Sequence, residues 1–315
     1  MIKPINSSLI RFQANKQDYN SETGEYKDPL MHWPIRGAAF TNEVGEALRP
    51  LIGDLATLSW APALLYIGAD IYDKYKNNNT EYNPDPQRGV KQAVFQGMAS
   101  ILLPLVAVKG GQNIFSGIGL FTKDKMTYNT KEQVNKIAET FVANGNMRKF
   151  QGKDKECIKE FCDRVMDNVD YKKQIETRNP FKKFWFYSLD KISDFMNFNP
   201  KERVNNYAQE TIKELIQLRK QAFRPTDEFK NSWEYTFFKS SIENGETPNV
   251  AVKSLLIKKL NKQNLKGSFV KTIGGFIALG LLIKPIDNFV ENVLIGKYID
   301  PKLAQRNKTN DKALV

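Results

Sequence analysis

Histidine and cysteine are nearly absent: His32 is the only histidine and Cys157 and Cys162 are the only cysteines in 315 residues. A zinc centre usually takes four His or Cys ligands, so such a site is excluded and any metal would need carboxylates. Two cysteines five residues apart on one helix face suit packing, not a disulfide framework. A Ser–His or Cys–His nucleophile pair would need His32, whose neighbours MHWPIR form no nucleophile elbow. Glycine (19) and proline (14) are too few for a collagenous chain, and 41% apolar residues are too many for disorder. Nucleotide motifs are missing as well. Gly275 to Gly280 has Walker spacing but leads into Leu281 with no lysine, and Gly117 and Gly119 form a lone G-x-G. The first twenty residues hold no apolar run of signal-peptide length.

Long unbroken apolar runs are scarce too. The mean hydropathy is −0.49, yet it averages two unlike populations. Apolar residues concentrate from Leu48 to Ile71, Ala93 to Phe121 and Ser268 to Ile295, while roughly 145 residues between the last two are polar. The longest charge-free pieces are Leu55 to Ala69 (15 residues), Ala93 to Val108 (16) and Thr272 to Ile283 (12). Each is below the ~20 residues of a spanning helix. Flanking Arg49, Tyr66, Tyr72, Lys91, Lys109, Lys271, Lys284 and Tyr298 can sit at an interface and extend them. Small residues four apart (Gly53, Thr57, Ala61; Ala93, Gly97; Gly274, Ala278) permit close helix approach in lipid and in soluble helix pairs alike. Periodicity alone fits both buried soluble helices and membrane spans.

Between the first two stretches, Lys76 to Arg88 reads as an exposed loop rather than a strand. The polar insertion reads as helical. A capping box at Thr130 with Gln133 precedes Val134, Ile137, Ala138, Phe141 and Val142, with Gly145 as the stop. Further helices are expected from about Lys153 to Asp170, which places both cysteines in packing positions, from Asn199 to Ala222 and from Asp227 to Glu243. Phe181, Lys182, Lys183, Trp185 and Tyr187 combine rings with lysines and fit either a lipid headgroup layer or an aromatic core helix. The expected architecture is mainly α: a multi-span membrane helical bundle with an inserted soluble α-helical domain. Its parts are a polar segment 1–39, an apolar hairpin 40–121, a basic helical insertion 122–266, a third apolar helix 267–303 and a polar tail 304–315.

Net charge is +12. From Lys109 to Lys266 there are 30 Lys/Arg and 20 Asp/Glu, so this region holds ten of the twelve excess charges, nine of them within the 122–266 insertion. That favours an anionic neighbour, either lipid or protein. Nucleic acid is not expected, because no Arg cluster, finger spacing or aromatic RNA-binding motif is present. Three crossings would put the N-terminus and the insertion on one side, the Lys76 to Arg88 loop and the C-terminus on the other. In that arrangement Asp54 is expected near Arg49, Lys109 and Lys271, and Asp70 and Asp73 near Lys91 and Lys284. Structural pairing and an ion or proton path are both open for these carboxylates.

NEVGEALRPLI (Asn42 to Ile52), GADIYDKYK (Gly68 to Lys76), QAVFQGMASILLP (Gln92 to Pro104) and ALGLLIKPIDNFVENVL (Ala278 to Leu294) together resemble the mitochondrial fission process protein 1 family. The resemblance covers about Phe40 to Leu120 and Lys271 to Leu303, and the insertion departs from it. It implies an integral protein of the mitochondrial inner membrane, or of the inner membrane of a bacterium for a prokaryotic relative, linked to membrane division and integrity and bringing no catalytic chemistry or cofactor. Positions carried across are Asn42, Glu43, Gly45, Glu46, Arg49, Asp70, Asp73, Lys74, Gln96, Ala99, Ser100, Pro104, Pro285 and Asp287. The expected role is a non-enzymatic membrane organiser or adaptor contacting lipid or a protein partner through the insertion. A transport component and a soluble helical binding protein are the alternatives.

Overall fold

The computed structural model describes residue 30 and residues 32–78, 81–169 and 200–304. The aromatic and lysine group Phe181, Lys182, Lys183, Trp185 and Tyr187 lies outside the described residues. The described chain is mainly helical, and three helical runs are long and apolar enough to cross a membrane: Thr41–Lys76, Pro86–Phe121 and Pro248–Ala304. Two compact units partition it, Met1–Ile114 with Lys271–Val315 (unit 1) and Phe115–Val270 (unit 2).

Unit 1 begins with α1 (Ile35–Ala38) and α2 (Thr41–Ile52), followed by a 3-10 segment (Gly53–Ser59) and α3 (Trp60–Lys76). The first apolar stretch is not one straight helix. Gly53 takes φ 60°, a left-handed conformation that glycine adopts without a Cβ penalty, and the chain reverses there. In a straight helix residues 45 and 59 would be ~21 Å apart at 1.5 Å per residue. Instead a Cβ built on Gly45 would lie 1.7 Å from Ser59 Oγ, so α2 lies back along the 3-10 segment. Packing of α1 on α3 continues the same antiparallel course. The N-terminal end of this fold-back therefore lies toward the 77–85 end of unit 1, not opposite to it as three simple crossings would require.

After α3, Asn77 pairs with Tyr82 and Asn78 with Glu81 in a two-residue antiparallel ladder, a small strand pairing inside the segment expected as loop only. Asp85 then caps α4 (Pro86–Phe95) by accepting from Gln87 N at 2.8 Å, with Pro86 at the first helical position. A π-helical segment (Gln96–Leu102) joins α4 to α5 (Leu103–Ser116), and a 3-10 turn (Gly117–Phe121) ends the run.

Unit 2 contains α6 (Tyr128–Ala143), α7 (Asn146–Lys149), α8 (Asp154–Asn168), α9 (Pro200–Phe223), α10 (Asp227–Lys230) and α11 (Trp233–Glu243). The start of α6 is one turn earlier than expected. Thr127, not Thr130, is the cap, its Oγ1 accepting from Thr130 N at 3.2 Å. The helix expected over Asp227 to Glu243 is two, because Ser232 accepts from Tyr235 N and starts a new one. Helix α12 (Pro248–Phe289) has residues in both units and passes into a π-helical run (Val290–Ile299).

The two units differ in what they bury: unit 2 has the large apolar core, unit 1 mostly small apolar residues with buried polar ones between them. Unit 2 buries Phe141, Phe161, Ile212, Leu215, Leu255 and Leu256, with the Phe141 and Phe161 rings edge-to-face at 5.4 Å. Cys157 and Cys162 sit in this core as free thiols. Among the described residues, the apolar cluster of unit 1 amounts to Ala47, Val108 and Leu279 with Ile283 against them.

Candidate functional site

Beside small apolar residues such as Ala47, Ala56 and Ala63, unit 1 buries a set of polar ones. Asn42, Glu43, Glu46, Asp70, Gln96, Ser100 and Gln112 are each 7% exposed or less. Polar groups at this depth need partners, and two networks supply most of them.

The first is built around Glu46 on α2. Its carboxylate accepts from Arg49 Nη2 at 2.5 Å and Arg49 Nε at 2.9 Å, from Trp60 Nε1 at 3.0 Å, and pairs with Lys109 Nζ at 3.2 Å. Arg49 is one turn along the same helix, Trp60 arrives through the Gly53 reversal, and Lys109 comes from α5. Gln112, one turn beyond Lys109, donates to the Glu46 carbonyl at 2.8 Å. Small residues allow the approach: a Cβ on Gly275 would meet Ala47 Cα at 3.3 Å, and one on Gly111 would lie 2.2 Å from the Gly274 carbonyl oxygen.

The second runs from α3 to α2 through the π-helical segment. Gln92 and Gln96 both donate to Asp70 Oδ2. Ser100 Oγ donates to Gln96 Oε1 at 2.6 Å, and Asn42 Nδ2 donates to the Ser100 carbonyl at 2.8 Å. Nearby, Asn77 Nδ2 donates to Asp73 Oδ1 at 2.8 Å and Lys74 lies 3.6 Å from Asp73.

No protein-family model, curated protein or solved structure matches the chain.

The structure thus brings Asn42, Ser100, Gln96 and Asp70 into one chain of hydrogen bonds and Glu46 with Arg49 into another. Ala99 and Pro104 are buried beside them, whereas Pro285 is exposed within α12. Several expected pairings are different. Asp54 is exposed and, among the described residues, makes no ion pair. Glu46, not Asp54, holds Lys109, whereas Asp54, just past the reversal, lies within electrostatic reach of Arg49 as expected. Lys91 pairs with Asp300 at 2.5 Å, at an angle poor for a hydrogen bond, and not with Asp70 or Asp73. Lys271 is buried at 8% exposure, and Lys284 is exposed.

Glu43 stands apart. It is 7% exposed and receives no hydrogen bond among the described residues, and its electrostatic neighbour is a second carboxylate, Asp287 of α12. Among the described residues no three His, Cys, Asp or Glu side chains converge as metal ligands.

Trp60, Gln92 and Gln112 were not singled out from the sequence. They lie 14, 22 and 66 residues from their partners Glu46, Asp70 and Glu46, and no local spacing signals those contacts.

Proposed function

We propose that the chain is an integral membrane protein in which unit 1 lies in the bilayer and unit 2 is a basic, helical binding module, acting as an organiser or adaptor and not as an enzyme. One observation carries this. Only 22%, 33% and 28% of the most apolar windows of the three runs is buried within the protein, while charged and amide side chains are buried between the helices. Leu55, Leu58, Leu65 and Leu281 are each 66% exposed or more. In water each would forgo about 1.5–3 kcal/mol of burial, and a bundle with so small an apolar core would not hold. In hydrocarbon the same arrangement places the exposed apolar side chains in a matching solvent and most of the buried polar groups, Glu43 excepted, in hydrogen-bonded networks.

The role we favour is in membrane division, morphology or integrity, in the mitochondrial inner membrane of a eukaryote or the inner membrane of a bacterium. Supporting it, blocks of sequence that resemble the fission process family meet at Asn42–Ser100 and Gln96–Asp70, consistent with one cooperating unit. The +9 surplus of the insertion favours anionic lipid or an acidic protein as the partner. The test has two steps: resistance of the full-length chain to carbonate extraction, then depletion in the source cells with imaging of organelle or cell-envelope shape. Release into the carbonate supernatant defeats the membrane reading, and unchanged shape on depletion defeats the role.

A second reading, a proton or cation path, is favoured by Glu43 and Asp287 alone. Flux into liposomes that is lost in Glu43→Gln would establish it, and absence of flux in the wild type would end it.

A further inference from the structure

We propose that unit 2 carries a binding site for a single-chain anionic amphiphile, a molecule with one acyl tail and a carboxylate or phosphate head, in the cleft between the start of α8 and the end of α9.

The cleft has a volume of about 650 Å³, within the ~300–1,000 Å³ range of small-molecule sites. Its apolar wall is Met147, Phe150, Cys157, Ile216 and Phe223. A second hollow of about 250 Å³ continues along the same helix pair, lined by Ile158, Ile216 and Gln217. The Lys220–Asp154 pair lies at the junction, lining both hollows. Ile216 lines both hollows, so apolar residues run along the α8–α9 pair from Phe223 to Ile158, an arrangement that suits an acyl chain better than a sugar or base.

Its rim is cationic. Arg219, Lys220 and Arg224 line the larger hollow and Lys213 the smaller, against one carboxylate, Asp154, which Lys220 already neutralises. Arg219 is fixed: it donates to the Met147 carbonyl and, at 3.0 Å, to Gln151 Oε1, holding the α7–α8 connection as one side of the cleft. Burial lowers its proton affinity, and Arg148 adds to this, so a bound anion would relieve an existing cost. Arg224 is exposed and, among the described residues, pairs with no acid. A planar guanidinium at the mouth of an apolar trough is the chemistry that grips a carboxylate or phosphate head. The Cys157 thiol forms part of the wall and is pushed up to about 11 by burial, with Asp154 adding to it, so it acts as an apolar surface and not a nucleophile. The site is independent of whether unit 1 crosses a membrane.

The test uses the full chain in phosphatidylcholine nanodiscs with 11-(dansylamino)undecanoate as the fluorescent probe and empty nanodiscs as the blank. Saturable one-to-one binding is expected, weakened about tenfold by Arg224→Glu and abolished by Ile216→Trp, which fills the trough. Arg224→Glu changes an exposed residue and keeps the fold, so its result stands even where the tryptophan variant misfolds. Displacement by palmitate or by lysophosphatidate supports the site and tells which head it prefers. Displacement by inorganic phosphate alone would reveal an anion site without a tail pocket. Equal displacement by lysophosphatidylcholine would show no recognition of charge, and unchanged affinity in Arg224→Glu would show that the head is not held there. Any of these three overturns the proposal, as does a signal no larger than that of empty nanodiscs.

Discussion

Gly110 and Gly111 are adjacent in α5, yet adding one methyl to each should have opposite effects. A Cβ at Gly111 would lie 2.2 Å from the Gly274 carbonyl oxygen and 2.6 Å from Ala278 Cβ, whereas nothing lies within 4 Å of one at Gly110. The contact at Gly111 is with backbone, so no side-chain rotation relieves it and the second and third runs must separate. Overpacking of this kind costs about 1–3 kcal/mol. Replacing a helical glycine by alanine returns about 1 kcal/mol. Gly111→Ala should therefore destabilise by up to about 2 kcal/mol net, and Gly110→Ala should be neutral or stabilise by up to about 1. At roughly 2–4 °C per kcal/mol for a domain of 150–250 residues, the two midpoints should differ by several degrees. Trp60, hydrogen-bonded to Glu46 beside this contact, reports unfolding of unit 1 by its fluorescence in nanodiscs. If both alanines shift the midpoint in the same direction by the same amount, the close approach of α5 and α12 is not what holds unit 1 together.

Three further outcomes are expected. Glu46→Ala leaves Arg49, Lys109 and the Trp60 N–H without their acceptor and should cost about 3 kcal/mol, with Glu46→Gln costing less than half of that because an acceptor oxygen remains; equal loss in the two variants would show that volume, not hydrogen bonding, matters there. For unit 2, the folded Cys157 thiol titrates at about 11 against an ordinary value of 9.0. The unfolded chain therefore loses this proton first, and stability should fall as pH rises from about 9 to about 11. Cys157→Ala should flatten that part of a pH series of unfolding midpoints, and an unaltered slope would count against the burial. Finally, with both native cysteines buried as a quiet background, single cysteines at His32 and Asn83 should react with an impermeant maleimide from one side of the bilayer and one at Asp54 from the other. Labelling of His32→Cys and Asp54→Cys from the same side would remove the Gly53 fold-back.

The helices of unit 2 were legible because their information is local: apolar residues at helical spacing from Val134 to Val142 and from Cys157 to Val165 need no distant partner to be read. The three apolar stretches were visible for the same reason, and the fold class with them. The reversal inside the first was not. Gly53 was noticed for its spacing to Thr57 and Ala61, a pattern shared by straight packed helices, and only its φ shows that it turns the chain. That one misreading propagated to the site. With α2 treated as the start of a straight span, Asp54 became the interior carboxylate, when the fold-back buries Glu46 and Glu43 and leaves Asp54 outside. Pairings such as Gln96 with Asp70, 26 residues apart, or Gln112 with Glu46, 66 apart, depend on tertiary placement that no local pattern encodes.

On the membrane placement proposed above, the buried polar networks and the exposed apolar faces of unit 1 are two consequences of one constraint. In hydrocarbon, burying leucine against leucine gains little over leucine against lipid, so helix association there must come from close backbone contact and hydrogen bonds. Unit 1 has both: glycine at 111 and 275 where α5, α2 and α12 approach, and amide and carboxylate chains from Asn42 to Asp70 and around Glu46. Such bonds also select a geometry, because a one-turn slip of α2 would strand Glu46 away from Lys109 and Trp60 and leave Asn42 without the Ser100 carbonyl. Packing of uniform apolar side chains would tolerate that slip at small cost. The buried polar residues are therefore the part of the sequence that fixes the register of the bundle, and a variant that replaced them all with leucine would be expected to stay in the membrane while losing a single arrangement of its helices.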